Sequence, residues 1–530
     1  MPGPHDSDSV SRMTRDAGPE NRIRLAELLV GLTLAVDMGM GWEPGEAARA
    51  SVIATRLASD LGVDDPAAAY FTTLLQHVGC TAYAHEAAAL LGGDEIAVKS
   101  AAMRTDFTRP HEVLLVYLPS LAPQAGLLTR LRAAGTAAVR ARRIVAGYTQ
   151  ANCDAAALTA RRIALPEPVC QALRAVYEQS DGGGGPRGLR GDEIPVAARI
   201  AQVAVHASLF DRLGGAELAT TTVRRRAGAA LDDEIAAAFC RSAPELLAEL
   251  AAADVLVAAV EAEPEPLVEV GAHAAEGVCR AFGEVIDLKS PYHHGHATGV
   301  AELAVASAEW LRLPASDADE LRLAGLAHDL GRAAVPNGIW EKSGPLTSPE
   351  WERVRLHPYH TERILAASPP LSTVARLASM HHERLDGSGY HREVRAASIP
   401  MPARILAAAD AFQAMTQARA YRAALPPEEA SARLSAEAAG GRLDGDAVAA
   451  VLAAAGRGGR RRRAGPAGLT PRQVEVLRLL AQGLSNREIG RRLVVSPRTA
   501  ERHVQDIYAR IGVASRAGAA LFAMEHDLLP

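Results

Sequence analysis

Near the C-terminus of this chain, apolar residues recur at helical spacing: Val474, Leu477 and Leu480, then Ile489 and Leu493, then Val504, Ile507 and Ile511. Gly483 lies where the first of these helices should stop, and Ser485 is placed to cap the second. Ser496-Pro497 supplies a cap and an early Pro for a third helix running from about Pro497 to Ile511. A last helix is expected around Arg516 to Leu528. Upstream, the apolar runs LRLAGLA and VARLASM each end in an adjacent polar pair, His328-Asp329 and His381-His382. Such pairs need partners or a metal to offset desolvation when buried. Nowhere does an uninterrupted apolar stretch reach the roughly 18 residues of a membrane span, so no membrane association is expected.

Composition refines this picture. Aromatics make up only 4% of the 530 residues, while Ala, Leu, Val and Arg abound, as suits helices packed through small side chains. The length allows about three or four domains. Residues 1–20 read as a polar, disordered tail without a signal peptide. Cysteines 80, 153, 170, 240 and 279 form no CxxC motif, which fits reduced thiols in a cytoplasmic protein. From Gly456 onward there are 14 Arg and no Lys against six acidic residues, a net of +8 in a chain of net charge −5. Basic charge is therefore concentrated with the C-terminal helices, as binding to double-stranded DNA requires. Residues 456–468, rich in Gly and Arg, read as a flexible basic linker.

Nine of the 17 histidines fall between Pro291 and His391. One imidazole on an apolar helix is more often a core residue than a ligand, so the grouping carries the argument. His296, His328, Asp329, His357, His381, His382 and Asp410 form a candidate ligand set suited to divalent iron, manganese or zinc, with no thiols for a zinc finger. Two such ions about 3.5–4 Å apart can clamp a phosphodiester for in-line attack. Asp329 is the natural bridge, since its two oxygens can each reach one ion.

The blocks LAGLAHDLGRAAVPNGIWEKSGPLTSPEWERVRLHPYHTERIL, HHERLDGSGYH and IPMPARILAAADAFQAMTQARAYR resemble, in this order, the HD-GYP phosphodiesterases over roughly residues 266–455. The resemblance implies an all-α fold and hydrolysis of cyclic di-GMP or a related phosphodiester. Where trinuclear relatives carry a Glu this chain has Tyr292, so two metals are expected, iron or manganese. Arg332 takes the place of the family's Lys as a catalytic and substrate-binding cation, better shaped for bidentate phosphate contact. Arg419 and Arg422 match two further phosphate-binding cations, and Tyr390 the motif Tyr that packs near the nucleotide. His391 replaces the motif's Pro. His293, His294 and His360 are spare imidazoles, expected at the surface or behind the ligands.

The C-terminal segment LTPRQVEVLRLLAQGLSNREIGRRLVVSPRTAERHVQDIYARIGV resembles the LuxR-type helix-turn-helix, here residues 469–530. By that resemblance Glu501, Arg502 and Gln505 face base edges, Ser485, Arg498 and Thr499 face phosphates, and the last helix mediates a homodimer.

Self-comparison adds a further domain. YEQSDGGGGP and IPVAARI, from Tyr177 and Ile194, mirror HERLDGSGYH and IPMPARI, from His382 and Ile399, at a constant offset of 205 residues. Residues 21–260 therefore read as a degenerate HD-GYP-like copy. At its ligand positions stand Glu46, Gln76-His77, Asn152, Val176, Tyr177 and Val205, too few donors for a dinuclear site, so this copy is expected to be inert. The chain as a whole reads as a one-component regulator, all-α, with two tandem HD-GYP-like domains and a four-helix DNA-binding domain. It is either a phosphodiesterase linked to DNA binding or a transcription factor whose metal site senses a nucleotide or redox signal with little turnover.

Overall fold

The computed structural model describes residues 22–107, 109–122, 126–457 and 466–529. The expected N-terminal tail and most of the basic linker lie outside the described residues. Almost all regular structure is helical. Among the described residues the one sheet is an antiparallel pair, β1 (Arg22–Arg24) and β2 (Glu269–Gly271), with Arg22 opposite Gly271. Strands of three residues are too short for an alternating pattern to register, which is why the sequence gives no sign of them.

The N-terminal copy is built on α1 (Leu25–Met40), α2 (Glu46–Asp60), α3 (Pro66–Leu75), the long α4 (Leu127–Arg162) and α5 (Val196–Arg226). The second copy repeats the order with α6 (Ala272–Asp287), α7 (His296–Trp310), α8 (Ala315–Ala327), α9 (His357–Ala366), α10 (Ser372–Ala378) and α11 (Met401–Thr416). The two share local devices. Asp37, near the end of α1, accepts N–H bonds from Gly45, Glu46 and Ala47, tying down the start of α2. Asp287 does the same for α7 through Ala297. A β-carbon on Gly79 would meet the carbonyl of Asn152, and one on Gly331 would meet that of His357. Asn152 therefore stands where His357 does. Glu178 and Glu383, buried beneath the two Gly-rich loops, each accept two loop N–H groups.

The copies pack on each other with approximate reciprocity. α1 lies against α9, close enough that a β-carbon on Gly31 would fall 2.6 Å from the Ser368 nitrogen, and the Ser368 hydroxyl donates to the Glu27 carbonyl. α6 in turn lies against α4, where Arg162 pairs with the buried Glu284. One apolar core runs through both copies. Lys289, 2% exposed, is held 3.0 Å from Glu95 and also donates to the carbonyls of Ala333 and Val335. Glu95 accepts the Asn337 N–H, and Gly338 donates to the Gly93 carbonyl. The N-terminal copy thus grips the segment just after His328-Asp329. Removing one member of such a buried pair strands the other, at a cost of about 3–5 kcal/mol.

The C-terminal domain comprises α12 (Pro471–Ala481), α13 (Asn486–Leu493), α14 (Pro497–Ile511) and α15 (Arg516–Glu525). Thr470, Ser485, Ser496 and Ser515 each cap a helix through the side-chain oxygen. Its core includes Leu477, Ile489, Val504, Ile507 and Leu521, and continues onto Ala151, Ala155 and Leu288 of the tandem copies. Arg162 donates to the Leu521 carbonyl and pairs with Glu525, while the Ala514 N–H reaches Asp154. Pro291 lies under Gly483, His294 donates to the Ala481 carbonyl and the Gly295 N–H meets the Met524 sulfur. The domain therefore sits on the loop that leads into His296. Among the described residues no helix is long and apolar enough to cross a membrane.

Candidate metal centre and nucleic-acid interface

All seven expected ligand residues converge. His296 opens α7 behind Gly295, whose positive φ turns the chain into the helix. His328 ends α8 and Asp329 begins the tight turn after it, where a non-helical backbone swings the carboxylate inward. His357 opens α9, His381 and His382 follow α10, and Asp410 projects from the middle of α11. Except for His382, all are less than a tenth exposed.

Their donor atoms fall into two clusters. In one, His296, His328 and Asp410 present ligand atoms within 4.8 Å of one another, and in the other His357, His381 and His382 do so. Asp329 stands between them. Its Oδ2 is 3.8 Å from His296 Nε2 and 3.6 Å from His328 Nε2, while its Oδ1 is 3.3 Å from His357 Nε2 and 3.7 Å from His381 Nε2.

The tautomers are set for coordination. Nδ1 of His328, His357 and His381 each donates to a backbone carbonyl three residues earlier, Gly325, Val354 and Ala378. The Nε2 atoms face inward: His328 Nε2 is buried without a hydrogen-bond partner, and His357 Nε2 and His381 Nε2 lie 3.0 Å apart. His296 Nδ1 donates instead to the Gln417 side-chain oxygen at 3.0 Å. Outer partners of this kind orient a ligand ring and raise its basicity, and their loss costs about 10–100-fold in metal affinity. Gln417→Leu is expected to weaken metal retention by about that factor while leaving the fold intact, measured by competition with a chelator.

Charge at the site is strongly organised. Burial pushes the His381 imidazole down to about 3 and lowers those of His296 and His382, so all three are neutral at neutral pH. Burial alone would raise the carboxyl of Asp329, but His328, Arg332 and His357 outweigh it and hold the group well below its usual range. His296 and His382 do the same for Asp410. The metal-free protein should therefore lose stability on acidification. Unfolded imidazoles take up protons near 6.5 whereas His381 resists until about 3, so protons favour the unfolded chain throughout that window. Thermal melts between pH 7 and pH 4 should show the midpoint falling, and a flat profile would contradict the burial of these rings.

The expected substrate cations divide into two kinds. Arg332, 3% exposed, lies over the Trp340 ring at 4.5 Å and donates to Asp329 Oδ2 at 2.9 Å. Arg419 donates to the Tyr292 carbonyl and to Gln417, and burial lowers its guanidinium to about 10. Arg422 is taken up otherwise, donating to the carbonyls of Ala414, Met415 and Gln417 at the end of α11. It closes the helix terminus and shapes the turn that carries Arg419. Tyr390 packs on His382, ring centroids 4.7 Å apart, and the Arg355 guanidinium lies over the Tyr390 ring at 5.9 Å. Of the spare imidazoles, His293 is buried edge-on to His296 and Trp340, His294 meets the C-terminal domain and His360 is half-buried. Gln417 and Trp340 escaped sequence reasoning, because their partners His296 and Arg332 are joined to them only by the fold.

In the N-terminal copy the corresponding positions are otherwise occupied. Glu46 pairs with Arg212 at 2.9 Å, and His77 hydrogen-bonds the Tyr177 hydroxyl. Among the described residues, the groups of three or more donors close enough to share an ion all belong to the second copy.

In the C-terminal domain Arg498, Glu501, Arg502 and Gln505 are exposed on α14. The Ser485 hydroxyl is engaged with Glu488 in a capping box, and that of Thr499 with Ser496.

Comparison with known proteins agrees with this geometry. Residues 97–233 and 280–447 both match the HD domain family, and residues 467–523 match the bacterial regulatory proteins of the luxR family. The 3′3′-cGAMP-specific phosphodiesterase 3 of Vibrio cholerae is 30% identical over 418 residues, covering 78% of this chain and 91% of the relative. A cyclic di-GMP phosphodiesterase of Pseudomonas aeruginosa is 38% identical over 145 residues, covering 27% of this chain and 35% of its own. The crystal structure of a cyclic GMP-AMP phosphodiesterase of V. cholerae superposes with a TM-score of 0.55 at 26% identity, over 82% of this chain and 98% of that one. With two HD regions, relatives that cleave cyclic dinucleotides and a luxR-type terminus, the chain belongs to the HD-GYP phosphodiesterase family and carries a LuxR-type DNA-binding domain.

Proposed function

We propose that the second copy hydrolyses a 3′–3′-linked cyclic dinucleotide at a dinuclear metal centre, and that the C-terminal domain links this activity to binding at DNA. The observation that carries the reading is the placement of Asp329, with one oxygen toward each cluster of three donors. His296, His328 and Asp410 would hold one ion, His357, His381 and His382 the other, with Asp329 between them. The orphaned Nε2 of His328 and the shared inward tautomer fit such ions. Bound there, iron or manganese would polarise the phosphodiester and activate a water for in-line attack.

The chain's own groups bind and orient the substrate. Arg419 is positioned to receive a phosphate oxygen beside the His296 cluster. Arg332 can exchange its bond to Asp329 for one to phosphate, its plane kept in register by Trp340. Tyr390 offers an aromatic face beside His382 for a nucleobase. The inert first copy serves as a fixed partner that braces the turn after Asp329. The V. cholerae relative whose likeness extends across both copies is 3′3′-cGAMP-specific, whereas the P. aeruginosa relative matches a shorter stretch and acts on cyclic di-GMP. This favours 3′3′-cGAMP as the first substrate to test.

The test is to purify the protein anaerobically without chelators, count metals per chain and follow both dinucleotides by chromatography. Two metals with a linear or mononucleotide product support the proposal, and a metal-free protein with neither product rules it out. A second reading, a sensor with little turnover, is favoured by one observation: the DNA-binding domain rests on Pro291, His294 and Gly295, the loop that ends at His296. Two metals, tight binding and no product would select it.

A further inference from the structure

The former active site of the N-terminal copy is not filled in. A cavity of about 310 Å³ remains there, walled by His77, Tyr177, Gln202, His206, Arg225 and Arg226 among others. If loss of chemistry were all that had happened, apolar side chains would be the stable replacement, as Val176 and Val205 are at two ligand positions. Much of the remaining wall is polar, and three of its buried atoms have no hydrogen-bond partner. His77 is 4% exposed and its Nε2 is unpaired, as are Gln76 Nε2 and Arg225 Nε. An unsatisfied buried group costs about 1–3 kcal/mol, which a ligand supplying the missing partner would recover.

The chemistry of the walls narrows the ligand. Burial pushes both His77 and His206 down to about 3, so they stand as neutral imidazoles with one donor and one acceptor each. His206 Nδ1 is committed to the Gln202 carbonyl, leaving Nε2 as an acceptor, and His77 Nδ1 is committed to the Tyr177 hydroxyl. Two guanidinium groups complete the set. Arg226, 7% exposed, lies over the Phe210 ring at 5.0 Å and donates to the Arg104 carbonyl at 3.4 Å. Arg225 has Glu112 at 3.4 Å, and Asp106, Glu178 and Asp181 also line the cavity, so carboxylates outnumber the two guanidinium groups there. Selection therefore falls to directed N–H groups rather than to bulk potential, and planar guanidinium forks match phosphate oxygens in this way. The volume sits at the lower end of small-molecule sites, room for one nucleotide and not for a cyclic pair.

We propose that this cavity is a ligand site for a phosphate monoester of mononucleotide size, the phosphate on Arg225 and Arg226 and the heterocycle against His77, Tyr177 and Gln202. The site has no metal and performs no reaction. It is separate from the centre around Asp329, and its occupancy does not depend on what that centre does.

Calorimetric titration of the full-length protein with GMP, AMP and inorganic phosphate tests this, in the wild type and in Asp329→Ala so that the second copy's site can be told apart. Saturable binding of one nucleotide per chain is expected in both proteins, at least about tenfold tighter than inorganic phosphate, a difference of about 1.4 kcal/mol. Arg225→Gln should weaken it about tenfold or more, and His77→Phe, which fills the cavity and removes the polar edge, should do the same. Melting curves identify any variant that has unfolded, and the two substitutions back each other up. Binding that vanishes in Asp329→Ala, binding untouched in folded Arg225→Gln and His77→Phe, equal affinity for inorganic phosphate, or no heat with either nucleotide at millimolar concentration would each overturn the proposal.

Discussion

Asp329→Ala is expected to abolish cyclic dinucleotide hydrolysis, by about 10³-fold or more, while leaving DNA affinity within about twofold. The carboxylate is the one group with an oxygen toward each triad of donors. Removing it deprives both clusters together, and several kcal/mol of transition-state stabilisation are lost at about 1.4 kcal/mol per tenfold. It also strands Arg332, which pairs with Asp329 at 2.9 Å. Metal content and turnover should fall together, read by elemental analysis and chromatography of product. If turnover falls while DNA binding stays as it was, the protein is an enzyme tethered to DNA. If instead DNA binding changes and no turnover existed to lose, the centre is a sensor. Retention of two metals and full turnover in Asp329→Ala would refute the bridging role.

Arg502→Ala should cost about 1–3 kcal/mol of specific DNA affinity, roughly 5- to 150-fold, without altering hydrolysis. Arg502 is exposed on the outer face of α14, whose buried face is Ala500, Val504 and Ile507. Nothing in the core depends on it, so lost affinity cannot be blamed on lost fold. Arg498, beside the helix start, is the comparison: a phosphate contact there should weaken binding to all sequences alike and reduce the salt dependence by about one unit of slope. Selected-site binding at two salt concentrations separates the two behaviours. Equal effects of both substitutions on random and selected DNA would remove Arg502 from base recognition.

What could be read from the sequence was what is local. Ser485 and Ser496 cap helices within three residues of themselves, so the helix-turn-helix boundaries were legible, and α14 spans the interval its Pro and Ile mark. His328-Asp329 and His381-His382 stood out because polar pairs at the ends of apolar runs must be satisfied somewhere. The internal repeat was legible for the same reason, through loop residues such as Asp181 and Asp386 that each accept an N–H two residues on. Gln417 was not, since its partner lies 121 residues away and a lone Gln announces nothing. Arg422 was matched to phosphate because the pattern places it near Arg419, but the exposed carbonyls at the end of α11 claim it first. The pairing of α1 with α9 and of α6 with α4 was equally hidden, as faces rich in Ala carry no label of their partner.

The final helix has a consequence for assembly. α15 is buried along most of its length, with Leu521 and Glu525 held by Arg162 and Met524 covering Gly295. A homodimer joined through that helix must compete with the chain's own hold on it. For any such dimer both chains must release the helix, so the apparent dissociation constant is the intrinsic one divided by the square of the fraction of chains whose terminal domain has come free. Whatever draws the domain away raises that fraction, so release of the domain and chain concentration would act on one equilibrium.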